Sequence, residues 1–150
     1  MMFNEIEEAI LSGRVNAGVI IHENRFTFAD KGLHLIQDLG SHWEEKTGQP
    51  IPLGGIVADR TFDQDIVRKV EVLIQESIDF ARRNPSAVMP YIREHAQEME
   101  DSVMMQHIAL YVNDFTRSLG KVGRLAIEHF FDQGVGLGRI DAYQQIFLDP

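Results

Sequence analysis

Apolar residues follow two different spacings along this chain, and the change comes near residue 60. Before it, short apolar runs of strand length cover residues 15–22 and 53–58, with a weaker run at 33–39. After it, apolar residues recur every three or four positions, which predicts helices. These helices are expected at residues 61–84, 85–99, 103–111 and 121–133, with a short one near 143–147. We therefore predict an α/β chain with a small sheet within residues 14–60 and a helical C-terminal half.

Local signals mark several helix ends. Asn4 followed by Glu7 has the form of a capping box for a helix over residues 5–12, and Ser41 with Glu44 has the same form. Asn84 and Pro85 are typical of a cap followed by a first-turn proline. The glycine-rich residues 134–138 predict a flexible joint before the terminal helix.

Composition narrows the classes of partner. The 150 residues carry a net charge of -9 and no cysteine, and the longest basic run is Arg82-Arg83. Nucleic acids and anionic membranes attract clustered lysine and arginine, so neither is an expected partner. No apolar run approaches the roughly 20 residues of a membrane span, and the N-terminus does not resemble a secretory signal. A cytoplasmic protein is the expectation.

Polar groups crowd the end of the first apolar run, where His22, Glu23 and Arg25 follow Ile21. In α/β sheets ligands bind beyond the carboxyl ends of the strands. One interpretation makes His22 a general base and Arg25 a contact for an anionic substrate group. The alternative is a histidine hydrogen-bonded to backbone, with Glu23 and Arg25 paired on the surface. The spacing leaves both open.

Two further groups of residues are candidate ligand sites. Gly54 and Gly55 fall within the predicted strand at 53–58, where backbone could approach a ligand or simply form a bulge. His95 and Glu98 lie three residues apart on a predicted helix, a spacing that metal sites in helical bundles also use, but the favoured interpretation of His95 is an ordinary, partly buried helix residue. We therefore do not expect a metal ion at this pair.

Several ordered motifs together resemble the 1,4-dihydroxy-6-naphthoate synthase family of the futalosine route to menaquinone. The longest is GRVNAGVIIHENRFTF at residues 13–28, and PIPLGGI follows at 50–56. Shorter matches are DLG at 38–40, WE at 43–44, TG at 47–48, HAQEM at 95–99, HI at 107–108, LYVN at 110–113 and LG at 119–120. The resemblance covers most of residues 3–130.

The resemblance implies a lyase with a two-lobed fold similar to type II periplasmic binding proteins. Such an enzyme cleaves cyclic dehypoxanthinylfutalosine to 1,4-dihydroxy-6-naphthoate without a metal or redox cofactor. His22 stands at the position of the general base. Arg25 and Thr27 are candidate contacts for a carboxylated aromatic substrate, and Leu53, Gly54 and Gly55 are a candidate pocket wall.

The resemblance also implies how the chain is divided into structural parts. The chain corresponds to the second lobe, residues 1–95, and a returning helical segment, residues 96–150, within a single domain that lacks the N-terminal lobe. We expect a homo-oligomer or a separate first-lobe chain as partner. The alternatives to a lyase are a non-catalytic module that binds a small carboxylate, and a split or remnant subunit that needs a partner chain.

Overall fold

The computed structural model describes residues 1–21, 24–96 and 100–147, and these residues are mainly helical. Helices account for 63% of the structure. Short 3-10 helices lie at Phe3–Glu5 and Phe28–Lys31. The α-helices are α1 (Ile6–Leu11), α2 (Asn24–Thr27), α3 (Leu39–Thr47), α4 (Gln64–Arg83), α5 (Pro85–His95), α6 (Asp101–Tyr111), α7 (Asp114–Arg117) and α8 (Gly120–Gly136).

The predicted α/β fold with a small sheet is wrong. None of the described residues is in a strand, including those of the three runs at 15–22, 33–39 and 53–58. An apolar run indicates that a segment favours an apolar environment. A strand also needs a neighbouring backbone segment with which to form a ladder of hydrogen bonds. Residues 17–21 and 51–59 instead have no regular secondary structure.

The helix predictions are closer, because spacing and caps act locally. Helix α4 begins after Asp63, whose carboxylate accepts hydrogen bonds from the N–H groups of Asp65 and Ile66. Helix α5 begins at Pro85, as predicted. Helix α3 begins three residues earlier than the capping box suggested, because Asp38 rather than Ser41 is its N-cap.

The glycine-rich segment does not break the last helix where we expected. Helix α8 continues through Gly134 to Gly136, and the chain turns at Gly138, which has a φ of +62°. The described residues beyond it, 141–147, form no helix, so the predicted terminal helix is wrong there. Glycine costs about 1 kcal/mol in a helix interior, which is too little to end a helix that is otherwise favourable.

The chain forms two compact units, each built from two stretches of sequence. The first unit contains Met1–Gln37 and Val88–Leu110, and the second contains Asp38–Ala87 and Tyr111–Pro150. The predicted division at residues 95 and 96 stays a prediction.

In the first unit, helix α1 packs against the extended segment that follows it. The backbone N–H of Val15 donates to the carbonyl of Ala9, which is fully buried. Helices α5 and α6 are joined by Arg93, whose guanidinium donates two hydrogen bonds to the carboxylate of Asp101, at 3.1 and 2.6 Å. Met104 on α6 is also buried.

In the second unit, ion pairs and aromatic contacts join the helices. Arg117 of α7 donates to both carboxylate oxygens of Asp79 on α4, at 2.8 and 3.0 Å. Trp43 of α3 packs against His129 and Phe130 of α8, with ring centroids 5.7 and 5.4 Å apart. These contacts fix α3 to α8 and α4 to α7.

Candidate active site

A cavity of about 550 Å³ lies within the first unit. Its wall is formed by the start of the chain, the extended segment before residue 22, and helices α5 and α6. The apolar part of the wall consists of Phe3, Val19, Ile20, Ile21, Ile92, Ala96, Met104 and Ile108. The polar part consists of Asn4, Glu7, Asn24, Tyr91, His95 and His107. A volume in this range suits a small organic ligand, and an apolar wall with a few polar groups is typical of such sites.

The segment that carries the predicted base leads into this wall. Ile20 and Ile21 line the cavity immediately before His22, and Asn24 lines it after Glu23. His22 and Glu23 themselves lie outside the described residues. The role of His22 as a base therefore stays a prediction, supported by the position of the residues on either side of it.

The two predicted substrate contacts after His22 are not among the described residues that line the cavity. Arg25 and Thr27 lie on the short helix α2, and both are half-buried. The Arg25 guanidinium carbon is 5.6 Å from the centre of the Phe26 ring. In the described part of the chain, the cavity wall includes Asn24 but neither Arg25 nor Thr27. Their contact with substrate stays a prediction.

The predicted pocket wall belongs to the second unit. Leu53, Gly54 and Gly55 are exposed. A Cβ atom placed on either glycine would meet nothing within 4 Å among the described residues. The described lining of the first unit's cavity does not include these three residues, and their role as a pocket wall stays a prediction.

Glu7 is a cavity residue that the sequence analysis interpreted otherwise. We expected its carboxylate to complete a helix cap with Asn4, but its Oε2 atom accepts a hydrogen bond from Lys31 Nζ at 2.6 Å. The residue is buried, with 8% of its surface exposed. Its spacing in the sequence indicates this burial, because Glu7 falls on the same helical face as Phe3 and Ile10.

The two histidines of the wall come from different helices. His95 at the end of α5 packs edge-on against Tyr91, with ring centroids 4.5 Å apart. His107 lies on α6 and is half-buried. Both can donate or accept hydrogen bonds from a ligand. We had interpreted His95 as an ordinary helix residue, and its possible metal partner Glu98 lies outside the described residues.

The described residues contain neither a cluster of metal ligands nor a membrane-spanning helix. No three histidine, aspartate or glutamate side chains of 1–21, 24–96 and 100–147 lie together as a metal ion would need. Nor does this part of the chain include a helix both long and apolar enough to cross a membrane.

Comparison with known proteins identifies the family of this chain. The sequence profile of a menaquinone biosynthesis family matches residues 1–135. A 1,4-dihydroxy-6-naphthoate synthase from Streptomyces coelicolor is 44% identical over 142 residues, which are 95% of this chain and 50% of the relative. The synthase from Thermus thermophilus is 38% identical over 136 residues, which are 91% of this chain and 50% of the relative.

A solved structure has the same fold over most of the chain. The crystal structure of protein AF1704 from Archaeoglobus fulgidus matches with a TM-score of 0.86 at 29% identity, covering 93% of this chain and 53% of that one. The chain thus spans about half the length of the curated relatives and of the solved structure that it matches.

Proposed function

The chain belongs to the menaquinone biosynthesis family, and from this premise we propose that it forms part of a lyase that makes 1,4-dihydroxy-6-naphthoate. The proposed substrate is cyclic dehypoxanthinylfutalosine, from which the sugar-derived carbons are released. The observation that carries the proposal is the cavity of about 550 Å³, which the residues on both sides of His22 line.

In the proposed reaction, His22 is the general base. A neutral imidazole can accept a proton at its unprotonated ring nitrogen. It removes a proton next to a carbonyl group of the bound substrate, and positioned bases of this kind accelerate proton transfer by about 10²- to 10⁴-fold.

The remaining groups bind and orient the substrate. Arg25 is the proposed contact for the ring carboxylate, because a guanidinium pairs with a carboxylate through two parallel hydrogen bonds. Thr27 adds a hydroxyl, and Leu53, Gly54 and Gly55 are the proposed wall of the substrate pocket. The apolar wall of the cavity accommodates the fused rings.

We also propose that the active assembly contains a second half. The chain matches about half of each synthase relative, which supports a partner that supplies the other half, on the same polypeptide or a separate one. A groove of about 360 Å³ in the second unit supports the same proposal. It is lined by six aliphatic residues, Ile56, Val70, Leu73, Ile74, Ile78 and Val112, together with Ser77 and Thr116.

A product assay tests the proposed function. The purified chain, alone and mixed with the first lobe of the Streptomyces coelicolor relative, is incubated with cyclic dehypoxanthinylfutalosine, and 1,4-dihydroxy-6-naphthoate is measured by chromatography. We expect product in the mixture. Absence of product, in a mixture that light scattering shows to be assembled, would contradict the proposed lyase activity. Substrate binding by calorimetry in that same mixture would then identify a binding module.

A further inference from the structure

The carboxylate of Glu7 has one oxygen that the protein does not use. Its Oε2 atom accepts a hydrogen bond from Lys31 Nζ at 2.6 Å, and Glu7 is one of the residues that line the cavity. Its Oε1 atom is buried and has no hydrogen-bond partner among the described residues. Buried polar atoms in folded proteins are nearly always paired, because an unpaired one has lost its hydration without a replacement.

The charges near Glu7 indicate which chemical group can pair with its Oε1 atom. Lys31 already compensates the negative charge of the carboxylate, and the other polar residues of the wall include Asn4, Asn24 and Tyr91. A second cation is therefore not required for charge balance. A neutral hydroxyl group is sufficient, because it donates one hydrogen bond to Oε1 and can accept another from a neighbouring amide.

The apolar part of the cavity wall indicates the shape and polarity of the rest of the ligand. Val19, Ile21, Ile92 and Met104 present hydrocarbon surface to the same cavity. Flat rings bury a large apolar area in such a space and leave a ring hydroxyl free to reach a polar atom.

We infer that the cavity binds a ring-shaped ligand bearing a hydroxyl group, and that Glu7 Oε1 accepts the hydrogen bond of this hydroxyl. The inference deepens the proposed function and rests on it for the identity of the natural ligand, since the proposed product carries two ring hydroxyls. The role of Glu7 is to position the ligand, and Lys31 holds the carboxylate in place.

The first measurement uses the unmodified chain and two probes that differ by a single hydroxyl group. Binding of 2-naphthol and of naphthalene is measured by fluorescence titration. A hydrogen bond to a buried carboxylate is expected to make 2-naphthol bind about tenfold more tightly. Equal affinities, or no binding of 2-naphthol, would overturn the inference.

The second measurement assigns the preference to Glu7. In Glu7→Gln, we expect the preference for 2-naphthol to fall to about twofold or less, because the charged acceptor is lost. Glu8→Gln is the control, since Glu8 is exposed on the same helix, and it retains the full preference. A preference unchanged in Glu7→Gln would overturn the inference.

A third measurement needs no variant, in case Glu7→Gln does not fold. With ¹³C-labelled glutamate in the unmodified chain, the side-chain carboxyl resonance of Glu7 shifts on addition of 2-naphthol and stays in place with naphthalene. The same shift with both probes would contradict a hydrogen bond to the hydroxyl. None of these measurements depends on turnover, so failure of the proposed lyase activity would be seen separately in the product assay.

Discussion

Gly18 is where the backbone of the extended segment comes closest to helix α1. A Cβ atom at this position would lie 2.4 Å from Ile6 Cγ2 and 3.2 Å from Ile10 Cδ1. Because Cγ2 is a branch methyl attached directly to Ile6 Cβ, it cannot move away without moving the helix or changing rotamer. The absence of a side chain at residue 18 therefore allows residues 19–21 to reach the cavity.

Gly18→Ala should destabilise the chain by about 1 to 3 kcal/mol, because the added methyl group overpacks this contact. The measurement is urea denaturation followed by circular dichroism. Gly54→Ala is the control, since an added Cβ there meets nothing within 4 Å. We expect Gly54→Ala to leave stability unchanged, and a loss of stability equal to that of Gly18→Ala would contradict the account.

At single residues, a local pattern singled out His22, whose role stays a prediction. His22 stands at the end of an apolar run, and the residues on either side of it do line a cavity. Glu7 was missed because its spacing to Asn4 matched a capping box, while its partner Lys31 lies 24 positions away. Pairing over such a distance in sequence depends on the fold, which local spacing does not report.

At the scale of elements, the sequence predicted helices well and strands poorly. The spacing of apolar residues and the asparagine before Pro85 placed α4 and α5 within a few residues of their observed starts. The runs at 15–22 and 53–58 were wrong as strands because a ladder depends on a second backbone segment. Helical hydrogen bonds close within one segment, so local sequence determines them more fully.

The contact between α4 and α7 should make stability depend on pH. Hydrogen bonding from Arg117 lowers the pKa of Asp79 below its ordinary value of 3.8. The ionised carboxylate therefore stabilises the folded chain above about pH 3.8, and this contribution is lost as the pH falls through the lowered pKa.

Asp79→Asn should accordingly be less stable than the unmodified chain at neutral pH, and the difference should shrink in acid below pH 3.8. Chemical denaturation at several pH values measures this difference. Asp30→Asn, at an exposed aspartate, serves as the control. A difference that stays constant across the range would contradict a stabilising role for the ion pair.

At the scale of the whole molecule, the described residues bury few large side chains. The buried hydrophobic residues among them are Ala9, Ile78, Met104 and Ala126. In the second unit, Val57 is 92% exposed and Ile56 is 74% exposed. Exposed apolar surface of this kind is typical of a surface that binds another protein. Composition alone could not locate it, because apolar content does not say which residues are covered.

We predict that the purified chain self-associates when no first-lobe partner is present. Replacing both Ile56 and Val57 with serine should lower the mass measured by light scattering, because the change removes apolar surface next to the groove of the second unit. Ile36→Ser is the control, as an exposed apolar residue of the first unit. A monomeric mass for the unmodified chain at high concentration would contradict this prediction.

The most direct test of the central claim is the turnover number of His22→Ala in the proposed lyase assembly. We predict a decrease of about 10²-fold or more in the formation of 1,4-dihydroxy-6-naphthoate, because the proposed general base is removed. His34→Ala, at an exposed histidine, should keep normal turnover. Near-normal turnover in His22→Ala would remove His22 from the mechanism and contradict the account.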